Sequence, residues 1–105
     1  MNMNDTLAIK ISATSIPAKA CMALKRLTGL SVGDIQRKIA NDEFLLICDY
    51  VDDDGLKLIN SIKREMQKFG IATKQYEDGE EKPSALFDNI ERLHEEINSQ
   101  DDTDF

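Results

Sequence analysis

The sequence predicts an α+β fold: a two-layer β-α-α-β-α-β domain, with a three-stranded split β-α-β sheet carrying three helices on one face, plus an acidic C-terminal helix. Three observations predict it. Leu7, Ile9 and Ile11 alternate with Ala8, Lys10 and Ser12, the period-two signature of a strand with one face on a core. Residues 15–40 read as two helices joined by a turn, and residues 56–69 keep a helical period between two short apolar runs. A strand–helix–strand crossover is right-handed and leaves its strands parallel; with the first strand inserted antiparallel between the second and third, the result is the split β-α-β layer.

Each element has a local reason. Ser15 is a candidate N-cap with Pro17 in the first turn, and Ala20, Cys21, Leu24 and Leu27 recur on one face of the first helix. Gly29 supplies the left-handed residue that ends it. Ser31 with Asp34 resembles a capping box, and Val32, Ile35 and Ile39 stripe the second helix. Residues 44–51 read as the second strand, and residues 52–55 as a turn and helix start. Leu56, Ile59, Ile62, Met66 and Phe69 mark the third helix, which Gly70 closes, while Lys57, Lys63, Arg64 and Lys68 sit mostly on its outer face. Residues 71–76 form a third short strand. Glu77–Pro83 reads as a charged linker with two breakers. A last helix is expected with Ser84 as its cap and Leu86, Ile90, Leu93 and Ile97 as its stripe, leaving Asp88, Glu91, Glu95 and Glu96 largely outside it, and residues 99–105 are expected to fray.

The chain of 105 residues supports one core, expected within residues 1–76, with residues 77–105 as an acidic linker, helix and tail. Charge divides the same way. Residues 1–76 carry 9 acidic and 11 basic side chains, whereas residues 77–105 carry 11 acidic and 2 basic. Such a tail repels nucleic acid and anionic membranes and attracts basic proteins; solubility is the alternative reading. Met1–Asp5 lack the basic start and apolar centre of a secretory signal, and no apolar run approaches transmembrane length, so a cytoplasmic location is expected. Cys21 and Cys48 lie in apolar runs and are expected as buried free thiols, with a disulfide the alternative.

Residues 23–38, with Thr28-Gly29-Leu30 at the turn, followed by residues 53–70 ending at Gly70, resemble the C-terminal domain of the bacterial ribosomal stalk protein over about residues 6–76. The resemblance implies the same element order. It also implies a surface on the first two helices that, in that family, docks translation GTPases through several lysines and small apolar residues. On a gapless alignment from the turn, three of those lysines fall on Pro17, Met22 and Gln36, while Lys25 replaces an arginine and Asp34 a glutamate. The Clp-protease adaptor that reads N-terminal residues shares this fold, but it requires an Asn-Asp-Asp-type loop where this chain has residues 13–15, Ala-Thr-Ser, and a pocket histidine.

Catalytic and metal chemistry is poorly provided for. Placing Gly55 at position six of a calcium loop puts Tyr50 at position one and Ser61 at position twelve, so the first ligand and the bidentate glutamate are missing. Helix capping accounts for Asp52, Asp53 and Asp54 instead. The single histidine, His94, is distant in sequence from both cysteines, and no glycine-rich phosphate loop is present. No cofactor or metal is therefore expected, and no enzymatic activity. The basic residues of the third helix raise nucleic-acid binding, but the acidic tail competes for them and no aromatic stacking platform accompanies them.

The expectation is a protein-binding module, most concretely an acidic inhibitor of the immunity or antitoxin kind that covers a basic toxin such as a nuclease. Asp49, Asp52, Asp53 and Asp54 with Glu77, Asp78, Glu80 and Glu81 would present its charge. The alternative is an adaptor that docks a translation or proteolysis factor through Lys19, Met22, Val32, Gly33 and Gln36.

Overall fold

The structure, a computed structural model, describes residues 5–102, excepting the side chains of His94 and residues 96–102. In order come β1 (Thr6–Ile11), α1 (Ala18–Thr28), α2 (Val32–Ala40), β2 (Leu46–Asp49), α3 (Asp53–Lys68), β3 (Thr73–Glu77), β4 (Glu80–Lys82) and α4 (Ser84–Asp102). The result is an α+β fold with an antiparallel sheet ordered β2-β1-β3-β4. β1 pairs antiparallel with both β2 and β3, which leaves β2 and β3 parallel to one another on either side of it.

The three-stranded expectation is corrected to four strands among the described residues, and Glu77–Pro83 is not a linker. Asp78 and Gly79 both take positive φ, 53° and 83°, between the paired residues Glu77 and Glu80. That is the two-residue hairpin conformation in which aspartate and glycine are favoured. Asp78 is also tied to β1 twice: Thr6 N–H donates to its Oδ1 at 2.8 Å, and its own N–H donates to the Thr6 carbonyl at 2.9 Å.

The helix ends follow their sequence signals with two exceptions, one of them Ser84, which is the first residue of α4 and not its cap. Ala18 opens α1 after Pro17, so Ser15 is not the cap. Gly29, at φ 76°, closes α1 in the left-handed conformation, and Thr28 Oγ1 accepts from Leu30 N–H while donating to the Leu24 carbonyl. Ser31 Oγ then accepts from Asp34 N–H at 3.1 Å to cap α2, and Asp52 Oδ1 accepts from Gly55 N–H at 3.0 Å to cap α3.

One core cluster joins Leu7, Ile9 and Ile11 of β1 to Leu24 of α1, Ile35 and Ile39 of α2, and Leu56, Ile59, Ile62 and Met66 of α3. Phe69 lies outside it and caps α3. Phe87 and Ile90 of α4 belong to the same cluster, so the C-terminal helix is packed on the body. Burying Phe87 contributes about 1.5–3 kcal/mol. The face α4 turns inward is therefore rotated from the expected stripe: Phe87 is buried, Leu93 is 52% exposed, and the side chain of Ile97 lies outside the described residues. Residues 99–102 continue α4, and residues 103–105 lie outside the described chain.

Candidate protein-binding surfaces

The two acidic runs come to one end of the sheet. Register sets Asp49 opposite Thr6 and Glu77 opposite Leu7, while Thr6 holds Asp78 through the two hydrogen bonds above. A turn closed by Asp52 N–H on the Asp49 carbonyl then delivers Asp52, Asp53 and Asp54 to the start of α3 at that same end. Negative charge at a helix N-terminus is favourable, which offsets part of the repulsion. Glu80 continues the end and pairs with Lys82 at 3.6 Å, whereas Glu81 lies opposite Tyr76 one row along the sheet. The eight acidic candidates thus gather although roughly half of them come from each of two distant segments.

The hairpin candidates are also near one another, on two packed helices. Met22 is 45% exposed on α1 and Lys19 is exposed beside it, Gly33 and Gln36 are exposed on α2, and Val32 is half-buried against the core. Gln36 further lines a groove of about 240 Å³ with Thr14, Ser15, Ile16, Ile39 and Ala40.

Cys48 lies under the acidic end. An added Cβ at Gly55 would stand 2.5 Å from its Cβ and 2.7 Å from its Sγ, so the absence of a side chain at Gly55 lets α3 start this close to β2. Burial, followed by the charges of Asp52 and Asp49, pushes the Cys48 thiol up to about 11. It stays protonated at neutral pH and is a poor nucleophile there. Cys21 and Cys48 are both free; Cys21 is buried and Cys48 only partly so. Among the described residues no group of three or more His, Cys, Asp or Glu could hold a metal ion, and no helix is long and apolar enough to cross a membrane.

Two features escaped the sequence reading. Lys63, expected on an outer face, is buried beneath α4, where its Nζ meets Asp88 at 2.8 Å and the Ser84 carbonyl at 3.3 Å. Asn60, fully buried one turn earlier, donates to the Phe87 carbonyl and to Glu91 Oε1, while its own Oδ1 has no partner. Asp88 and Glu91 therefore face α3. A helical period with a lysine and an asparagine adjoining the apolar stripe was the available signal.

The other feature is the sheet face turned away from Leu7, Ile9 and Ile11. Phe44 and Tyr76 meet edge to face at 5.0 Å, and Lys10 Nζ lies 5.1 Å and 5.3 Å from their ring centroids. Asp42 holds that ammonium at 3.4 Å. Alternation in β1 marks Ala8 and Lys10 for this face, but nothing local connects them to residues 44 and 76.

No family model matches the chain, and neither a curated protein nor a solved structure matches it.

Proposed function

We propose that this protein is a non-catalytic, cytoplasmic protein-binding module, most concretely an acidic inhibitor of the immunity or antitoxin kind that covers a basic toxin such as a nuclease. The observation that carries this reading is the meeting of Asp49–Asp54 with Glu77–Glu80 at one end of the sheet, with Asp49, Asp52, Asp54, Asp78 and Glu80 exposed. Concentrated charge of one sign accelerates encounter with an oppositely charged partner and weakens with salt. We read the architecture as two layers, three helices over one face of the sheet, resembling the ribosomal-stalk C-terminal type. Neither nucleic acid nor membrane is its partner on this reading.

The test is affinity capture from cells with the intact chain and with a triple reversal, Asp54→Lys, Glu80→Lys and Glu81→Lys, followed by mass spectrometry. A basic protein retained at low salt and lost on reversal supports the inhibitor reading. Retention independent of both charge and salt overturns it. Reversal replaces truncation after Tyr76, because truncation would strip Phe87 and Ile90 from the core.

The adaptor reading is kept for one observation, the exposure of Met22 on α1 together with that of Lys19 and of Gln36 on α2. It predicts that Met22→Glu abolishes capture while the triple reversal leaves it intact.

A further inference from the structure

The sheet face opposite the core is ordered in rows by the strand register. At one end Asp49 stands opposite Thr6, with Asp78 bonded to the same Thr6. The next row runs across all four strands as Ile47, Ala8, Tyr76 and Glu81. Beyond it Lys10 stands opposite Lys74, and Phe44 leans on Tyr76. The face therefore passes from carboxylates through an apolar middle to ammonium groups. Ile47, in the middle row but on the edge strand β2, is 55% exposed although it is a large apolar side chain in a strand.

We propose that this face is the docking surface, and that its occupant is an apolar patch of a basic protein flanked by arginine side chains. The inference rests on the basic-partner reading above and names the surface that partner meets. Charge complementarity selects the occupant. Guanidinium groups pair in a planar fork with carboxylates such as Asp49 and Glu81. Ile47 and the ring of Tyr76 supply the water-excluding centre that a charged rim lacks. Lys10 orders the two rings before any partner arrives, so little side-chain freedom is lost on docking. Lys74, exposed beside the Lys10 that Asp42 holds at 3.4 Å, repels arginine and fixes which way round the partner lies. A polynucleotide would meet the lysine row favourably but would cross the carboxylate row as well, which disfavours it.

The test uses the full chain and three probes: a short peptide of repeated Arg-Leu-Arg triplets, the same peptide with lysine for arginine, and oligothymidylate. Amide shifts induced by the arginine peptide are expected at Ala8, Ile47, Tyr76 and Glu81. Ile47→Ser is expected to weaken binding by about tenfold, and the lysine peptide to bind several-fold less tightly at equal charge. Tyr76→Phe, which keeps the ring, is expected to retain most of the affinity. If Ile47→Ser binds like the parent while Asp54→Lys with Glu80→Lys abolishes binding, the face is not the site and the acidic end alone stands. An arginine peptide that binds nowhere overturns both the face and the basic-partner reading. Tighter binding of oligothymidylate at the same amides overturns the assignment of the occupant.

Discussion

The α1–α2 joint is closed by Leu24, Ile35 and Ile39 around a turn spelled by adjacent residues, whereas the α3–α4 joint buries Asn60 and Lys63 against groups on a helix beginning more than twenty residues later. In the first joint the stabilising groups are apolar, and the polar ones serve only to end and start helices. The second joint adds to Phe87 a set of polar contacts that hold only in one register of α4 on α3. Apolar surfaces tolerate sliding; a buried ammonium and amide do not. The C-terminal helix is thus placed by polar specificity on top of an apolar anchor.

The largest expected effect tests that anchor. Phe87→Ala should cost about 3–5 kcal/mol by urea unfolding, comparable with Leu24→Ala in the other joint. A loss of less than about 1 kcal/mol would mean that α4 rests on its polar contacts alone. Next comes the ion pair. Asp88→Ala leaves Lys63 buried without its carboxylate and should cost about 1–3 kcal/mol, below the usual range for a buried pair because the Asp88 side chain is 51% exposed. Lys63→Met, by contrast, should stay within about 1 kcal/mol of the parent in the same measurement. In the first joint, Ser31→Ala removes the acceptor for Asp34 N–H and should cost about 1 kcal/mol, read as a fall in the urea midpoint.

The smallest effect concerns Cys48. Its folded pKa of about 11 lies above the reference 9.0, so the folded state holds the proton more tightly. That contribution to stability is present below pH 9 and fades as the pH rises toward 11. Iodoacetamide labelling of the folded chain should correspondingly lag that of the urea-unfolded chain until the pH approaches about 11. Equal rates at pH 9 would remove the proposed desolvation and carboxylate effect.

The same contrast explains what could be read in advance. Helix ends were legible at Gly29, Ser31 and Asp52 because capping is settled within three or four residues. The crossover made β2 and β3 parallel to one another, but the insertion of β1 between them was an added assumption that the pairing bears out. Asp78-Gly79 carried the hairpin signal, but the acidic residues around it lacked the alternating apolar pattern that makes such a turn conspicuous. Lys63 was misplaced because charge usually means exposure, and only the arrival of α4 reverses that. Both acidic runs were read from composition. Their meeting was not, since it depends on Thr6 standing between Asp49 and Asp78. The Lys10, Phe44 and Tyr76 group was hidden for the same reason, being assembled from three separate segments.

The reciprocal hydrogen bonds between Thr6 and Asp78 span 72 positions of sequence and join the first strand to the last hairpin turn. During synthesis, β1 leaves the ribosome first and lies at the centre of a sheet whose β3 neighbour has yet to be made. Leu7, Ile9 and Ile11 can collapse early onto the helices, but the strand gains both hydrogen-bonding partners only once residue 77 has emerged. Closing so long a loop slows folding more than it lowers final stability. The hairpin turn is thus the point at which β1 is paired on both sides, leaving only β4 to be added to the sheet.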